Sequence, residues 1–137
     1  MSVEWTPAMS TGVEEVDVQH REFLRRLNQL IEAILAGAGN DKVGPLFGYL
    51  GEYVTLHFSS EESCMNRFHC PVAAKNVAAH AKFIETFQRL RARHASSGAD
   101  ARLLVEVQRD LADWFVNHIC SIDVQMKPYA QGPGGKT

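Results

Sequence analysis

Four of the six histidines fall in stretches whose apolar residues recur every three or four positions, one histidine in each stretch. They are His20, His57, His80 and His118. Buried together, four imidazoles would each need a partner, because an unpaired buried polar group costs about 1–3 kcal/mol. A metal ion would satisfy several of them at once. The set therefore predicts a metal site, although each histidine taken alone is better explained as a core residue that a neighbour satisfies.

Two carboxylates add oxygen ligands to this set. Glu61 follows His57 by four residues, which places both side chains on one face of a helix, about 6 Å apart along its axis. An ionised carboxylate within an apolar stripe is costly unless it is paired or bound to a metal. Asp123 follows His118 by five residues, so both can point inward only where the helix widens or ends. For Asp123, a solvated position near the end of the chain is the open alternative.

The chemistry of these donors favours iron, with manganese and zinc as competitors. Zinc prefers a closed site of four ligands, often rich in thiolate. Six candidate ligands, two of which could bridge, suit a centre of two metals better than a single ion. These six residues are His20, His57, Glu61, His80, His118 and Asp123.

Four amphipathic helices joined by short turns are expected to position these side chains. The first is predicted from about Val16 to Leu35, and the second to start after Asp41 as N-cap. Pro71 suits the first turn of the third helix, and Asp100 can start the fourth. Helices of about 20 residues are about 30 Å long. The sequence predicts an all-α fold, an up-down-up-down antiparallel four-helix bundle with an N-terminal arm.

The length of 137 residues indicates one domain that can bury its own core. We expect an arm over about 1–15, the bundle over about 16–123 and a flexible tail over about 128–137. The net charge of −2 lacks the basic footprint of a nucleic-acid binder. No apolar run approaches the ~18–20 residues that span a bilayer, and the start lacks a signal-peptide pattern. These features predict a cytoplasmic protein without nucleic-acid or membrane partners, whose three cysteines are reduced.

Several short segments carry a further pattern in a fixed order along the chain. They are Asp17-Val18-Gln19-His20, His57-Phe58-Ser59-Ser60-Glu61-Glu62, His80-Ala81-Lys82-Phe83, Trp114-Phe115-Val116-Asn117-His118-Ile119 and Ile122-Asp123. With this order the chain resembles the hemerythrins, specifically the bacterial single-domain members. Trp5 and Gly12 fit the N-terminal arm of that family, so the resemblance extends over most of the chain.

The resemblance implies a non-haem di-iron centre that binds dioxygen reversibly. In the family pattern, His20 and His57 serve one iron. His80 and His118 serve the other, with a third histidine four residues before His80. The resemblance also implies that Glu61 and Asp123 bridge the two irons, together with an oxo or hydroxo bridge. In such proteins dioxygen binds at the iron with two histidines, which has an open position.

The sequence departs from the family pattern at one ligand. Four residues before His80 stands Asn76, so the family's five histidines are reduced to four. An amide oxygen is a harder and poorer donor to iron than an imidazole. Two interpretations stay open: Asn76 ligates weakly, or it only hydrogen-bonds nearby while water or another side chain fills the gap.

The remaining histidines and the cysteines are weaker candidates for that gap. His69 is expected to be an exposed residue at a helix end, and His94 a favourable charge near a helix C-terminus. Cys64 is the best thiol candidate, but a small buried structural cysteine is the expected role. Cys70 and Cys120 are weaker thiol candidates, for which a redox role is an open alternative.

Three functions are compatible with these residues. The first is a dioxygen-binding protein for storage, delivery or sensing. The second is a di-iron redox enzyme, of the peroxidase or oxidase kind or one that handles nitric oxide, because Asn76 leaves two histidines for each iron and open positions on both. The third is an interaction module in which metal only holds the bundle together. The expected ligand is dioxygen, another small diatomic molecule or peroxide.

Overall fold

The computed structural model describes residues 3–130, and its helices form the expected antiparallel four-helix bundle. The first three helices are α1 (Glu14–Leu35), α2 (Asn40–Arg67) and α3 (Ala73–Ser97). The fourth helix is continuous but has three parts, an α-helix (Ala101–Glu106), a π-helix (Val107–Asp113) and an α-helix (Trp114–Ser121). Shorter turns are the 3-10 helices Pro7–Met9 and Asp123–Met126 and the helical turn Lys127–Ala130. No strand occurs between residues 3 and 130.

Helix boundaries follow local chemistry, with small differences from the sequence prediction. Helix α2 starts one residue before Asp41, with Gly39 in the N-cap position. Pro71 precedes α3 instead of lying in its first turn, because the chain makes a tight corner first. At that corner His69 has a φ of 55°, and the backbone N–H of Cys70 donates to the carbonyl of Met65 at 2.9 Å.

The start of the fourth helix agrees with the sequence prediction. The carboxylate of Asp100 accepts a hydrogen bond from the backbone N–H of Leu103 at 2.8 Å, which satisfies one of the free N–H groups of the first turn. The helix ends at Ser121, and Ile122 (φ −113°, ψ −55°) leads into a 3-10 turn. The helix end, not a widening between His118 and Asp123, is therefore what places both near the interior; the π-helix lies before His118.

The core lies on both sides of the histidines. The larger cluster holds packed phenylalanines, with Phe23 and Phe115 ring centroids 4.1 Å apart. Close helix contact in this cluster depends on Gly51, since a Cβ there would lie 2.9 Å from Cε2 of Phe87. A smaller cluster around Met65 forms at the other side. Phe115 contacts the histidines from the first cluster, and Met65 contacts Asn76 from the second, so the polar residues lie between two apolar layers.

The N-terminal arm is attached to α1 through a buried carboxylate. Asp17 accepts hydrogen bonds from the N–H and the hydroxyl of Thr11, both at 2.8 Å, and from the hydroxyl of Ser10 at 3.0 Å. Met9 of the arm is buried in the larger core cluster. These contacts hold the arm against α1, and Val3 of the arm also pairs with Asn28 of that helix.

The end of the chain differs from the sequence prediction in its first residues. Residues 128–130, expected within a flexible tail, belong to the helical turn Lys127–Ala130, and Ala130 is buried. The rest of the predicted tail lies outside the described residues. Within the part of the chain that the structure describes, no helix has the length and apolar character needed to cross a membrane.

Candidate metal centre

The structure brings the six predicted ligand residues together in the interior of the bundle. One histidine comes from α1, a histidine and the glutamate from α2, one histidine from α3, and the last histidine and the aspartate from the end of the fourth helix and the turn after it. The least buried of them, His118, is only 5% exposed. The six residues are His20, His57, Glu61, His80, His118 and Asp123. The helix periodicity that predicted an inward orientation thus holds for all four helices.

Glu61 lies at the middle of this set, and its two oxygens face different histidines. Its Oε2 is 2.9 Å from Nε2 of His20 and 3.4 Å from Nε2 of His57. Its Oε1 is 3.0 Å from Nε2 of His80. A carboxylate placed in this way can donate one oxygen to each of two cations.

Asp123 completes the centre from the turn after the fourth helix and is fully buried, so the solvated alternative for this residue is wrong. Its Oδ2 lies 3.2 Å from Nε2 of His20, and its Oδ1 lies 3.2 Å from Nε2 of His118. The 3-10 turn after Ile122 turns the side chain inward, which a continued α-helix would not do. Asp123, like Glu61, therefore faces two groups of imidazoles.

Several of these buried atoms have no hydrogen-bond partner among the described residues. They are both carboxylate oxygens of Asp123 and Nε2 of His57 and of His80. Leaving such atoms unpaired costs about 1–3 kcal/mol each. Their closeness without hydrogen bonding indicates that the atoms face a shared volume instead of one another.

The donor atoms fit two adjacent cations. They form two groups that share the glutamate, and within each group the ligand atoms lie within 4.8 Å of one another. One group contains His20, His57 and Glu61, and the other contains Glu61, His80, His118 and Asp123. Adjacent ligands of an octahedral cation at about 2.1 Å are about 3 Å apart, which matches the 2.9–3.4 Å separations observed. The residues present therefore suit a dinuclear metal centre.

Two side chains outside the ligand set orient imidazoles toward the centre. The Nδ1–H of His57 donates to Oε1 of Gln19 at 2.8 Å, and the Nδ1–H of His80 donates to Oε2 of Glu62 at 2.8 Å. A proton on Nδ1 leaves the lone pair on Nε2, which faces the centre. Sequence reasoning did not assign these roles. The available signal was that each residue directly neighbours a predicted ligand in the chain.

Aromatic rings enclose the imidazoles. Phe58 stacks on His80 with centroids 3.7 Å apart and planes 4° apart, and Trp114 stacks on His118 at 4.6 Å and 9°. Phe115 meets the ring of His20 edge-on at 5.5 Å. These contacts restrict the ring planes and keep water away from the centre.

The electrostatics of the metal-free chain depend on mutual pairing of buried groups. Burial disfavours the charged form of His20, but the carboxylates of Asp123 and Glu61 outweigh this and raise its pKa to about 9. Burial would raise the pKa of Glu61, yet the three histidines facing it hold that pKa well below its usual range. Burial lowers the pKa of His57. A proton on His20 thus supplies positive charge between two carboxylates, as a cation could.

Asn76, the departure from the family pattern, lies within the centre. It is fully buried, and its Oδ1 is 2.7 Å from Nε2 of His118. Its Nδ2 donates to Oε1 of Glu61 at 2.9 Å and to Sδ of Met65 at 3.3 Å. Asn76 therefore occupies the position on α3 where the family pattern has a third histidine ligand for the iron that His80 and His118 serve.

The two histidines outside the ligand set, His69 and His94, differ in burial. His69 is exposed at the end of α2, as predicted. His94 is not the charged helix-end residue that we expected: it is 3% exposed and its ring lies 5.4 Å from that of Phe47. Its spacing of four from Leu90 continues the apolar stripe of α3, and burial lowers its pKa. His94 is therefore a core residue.

The cysteines do not join the ligand groups. No cysteine belongs to either cluster of ligand atoms between residues 3 and 130. Cys64 and Cys70 are buried in the smaller core cluster, and Cys120 is exposed. Burial raises the pKa of the Cys64 thiol, which favours its neutral form. Cys64 thus has the structural environment that the sequence predicted.

Comparison with known proteins gives a consistent result. The family model described as the hemerythrin HHE cation binding domain matches residues 11–130. The bacteriohemerythrin of Methylococcus capsulatus is 31% identical over 121 residues, which cover 87% of this chain and 89% of that protein. The bacteriohemerythrin of Stenotrophomonas maltophilia is 29% identical, covering 84% of this chain and 72% of that protein. A crystal structure of wild-type hemerythrin matches with a TM-score of 0.81 at 28% identity, covering 92% of this chain and 95% of that one.

Proposed function

Because this chain belongs to the hemerythrin HHE cation binding domain family, we propose that it is a dioxygen-binding protein with a non-haem di-iron centre, acting in storage, delivery or sensing. The observation that carries the proposal is the convergence of four imidazoles and two carboxylates on two adjacent positions. Nitrogen and carboxylate donors are the ligands that suit iron. When bound, the irons would supply reversible dioxygen binding.

We propose that the two positions use different histidines. His20 and His57 would hold one iron, and His80 and His118 would hold the other. The two buried carboxylates would bridge, because each has its oxygens near both groups. The whole chain would act as one domain, since all four helices contribute to the centre.

The chain itself would control access and orientation. The stacked rings of Phe58 and Trp114 and the edge of Phe115 surround the imidazoles and exclude water. Exclusion of water protects a reactive centre from side reactions such as proton leakage. Gln19 and Glu62 hold two imidazoles in the tautomer that presents Nε2 inward.

Metal content and optical spectra test this proposal. The reduced protein should contain about two irons per chain and develop a visible charge-transfer band in air that disappears when oxygen is removed. His57→Leu removes a proposed ligand and should lower the iron content. The matched control is His94→Leu, which removes another buried histidine outside the centre and should keep two irons. Irreversible oxidation without such a band would contradict the proposal.

A redox enzyme is the second candidate, and Asn76 is the observation that favours it. An amide in place of an imidazole leaves two histidines for each metal, and two histidines with carboxylate and open positions are typical of oxygen-activating iron. Asn76→His should then slow turnover of peroxide and lengthen the lifetime of the oxygenated protein. If neither rate changes, the enzyme hypothesis loses its support.

A further inference from the structure

The contacts of Asn76 define which way its amide faces. The nitrogen of a side-chain amide donates up to two hydrogen bonds and accepts none, whereas its oxygen only accepts hydrogen bonds. Nδ2 faces two acceptors, Oε1 of Glu61 at 2.9 Å and Sδ of Met65 at 3.3 Å. Both would be left without a donor if the amide were reversed. The amide oxygen is therefore the atom that faces His118.

This orientation places an oxygen lone pair beside a proposed ligand nitrogen. In the metal-free chain the Nε2–H of His118 donates to Oδ1 of Asn76 at 2.7 Å. An imidazole that binds a metal through Nε2 has lost the proton there. Two lone pairs would then face each other at that distance. A cation that both atoms ligate removes this repulsion, and 2.7 Å is close to the separation of about 3 Å between adjacent ligands.

The helix positions support the same role. Asn76 precedes His80 by four residues on α3, so both side chains lie on one face, one turn apart. His80 Nε2 and the Nδ2 of Asn76 lie 3.0 Å and 2.9 Å from the same oxygen, Oε1 of Glu61. The amide thus lies at the edge of the volume that His80, His118 and the carboxylates surround.

We propose that Asn76 is a metal ligand through Oδ1, at the position that His80 and His118 share, and that Met65 holds the amide in the ligating orientation. The inference rests on the proposed metal centre and deepens it. At this position two imidazoles and one amide oxygen would then join the two shared carboxylates. A neutral oxygen donor binds iron more weakly than an imidazole, so this position should hold its metal less tightly than a three-histidine position would.

Anaerobic titration with Co²⁺ tests the assignment without any activity assay. Binding is followed by visible absorption in competition with a chelator, which reports stoichiometry, two affinities and coordination changes. Asn76→Leu should weaken one of two Co²⁺ sites by at least about 10-fold, since even loss of supporting contacts costs 10–100-fold. Asn76→Asp keeps an oxygen in place and should bind at least as tightly as the natural chain. Met65→Leu, which removes the sulfur acceptor, should give a smaller loss.

Controls separate ligation from folding and from other roles. Asn66→Leu makes the same change at an exposed position of α2 and should leave both affinities unchanged. Circular dichroism of the metal-free variants checks the fold, and Asn76→Ala replaces the leucine variant if that chain does not fold. Equal Co²⁺ affinities in the natural chain and in Asn76→Leu (or Asn76→Ala, where it replaces that variant) would overturn the inference. So would an aspartate variant as weak as the leucine variant, because Asn76 would then act only as a donor to Glu61.

The outcomes also distinguish this inference from the proposed function. A natural chain that binds no Co²⁺ would overturn the metal centre and the ligand assignment together. Two Co²⁺ ions bound regardless of the residue at position 76 would overturn the assignment of Asn76 alone.

Discussion

The hydrogen bond between His80 and Glu62 can be removed without changing any proposed ligand. Hydrogen bonds to charged groups contribute about 1.5–3 kcal/mol. The Glu62 side chain is 29% exposed, so solvent screening reduces this and we expect about 1–2 kcal/mol. At 1.4 kcal/mol for each factor of ten, Glu62→Leu should weaken metal binding about 5–30-fold. The loss arises because the imidazole is no longer held with its lone pair toward the centre.

Competition titration with Co²⁺ under anaerobic conditions measures this effect directly. Glu62→Gln keeps an oxygen that can accept from Nδ1 of His80, so it should retain more of the affinity than the leucine variant. Glu52→Leu, an exposed change on the same helix, is the matched control and should bind as the natural chain does. If Glu62→Leu and the control bind Co²⁺ equally well, the reasoning about orientation is refuted.

Three further predictions concern stability. Gly51→Ala should lower the free energy of unfolding in urea by about 1 kcal/mol, because overpacking against Phe87 costs about 1–3 kcal/mol and the gain in helix propensity is only about 1 kcal/mol. In Gly48→Ala the new Cβ meets only the flexible end of an arginine, so this variant should raise the free energy of unfolding. Asp17→Ala should lower the free energy of unfolding by about 2–4 kcal/mol, because it leaves the buried N–H and hydroxyl of Thr11 without their acceptor. A decrease below about 1 kcal/mol in urea unfolding would contradict this. Burial lowers the pKa of His94, so below its ordinary pKa of 6.5 the unfolded chain binds a proton at this residue more readily than the folded chain does. The free energy of unfolding should therefore fall from about pH 7 to about pH 5 more steeply in the natural chain than in His94→Leu, and parallel pH profiles would argue against this.

The sequence was informative about the ligand histidines because each belongs to a periodic apolar stripe. His57 and Glu61, four residues apart, could be placed on one face without knowledge of any other helix. Asp123 could not, because its inward position depends on a turn that follows the end of the fourth helix. Its spacing of five residues from His118 showed only that a regular α-helix cannot point both side chains inward. The structure solves that problem with a local change of the backbone at Ile122.

The hydrophobic periodicity of each helix could not predict which side chains of different helices contact one another. Gln19 and Glu62 neighbour ligands in the chain, but each orients a histidine of a different helix. Such pairs depend on the rotation and spacing of two packed helices, which no single stripe specifies. His94 shows the opposite error. Its spacing of four from Leu90 places it on the core face of α3, whereas the expectation of a charged residue rested on the nearby helix end.

The π-helix Val107–Asp113 lets the fourth helix contain about one residue more than a regular α-helix with the same number of turns. It comprises seven residues that wind more loosely than the α-helices on either side. If one of them were deleted, the segment could rewind as α-helix with little change in the direction of the side chains that follow. A deletion between Trp114 and His118 would instead turn every later side chain by about 100° and shift it about 1.5 Å along the axis. His118 and Asp123 would then leave the centre together, while the stripes of α1, α2 and α3 would stay as they are. We therefore expect the π-helix to accept a one-residue deletion more readily than the α-helical part that follows it.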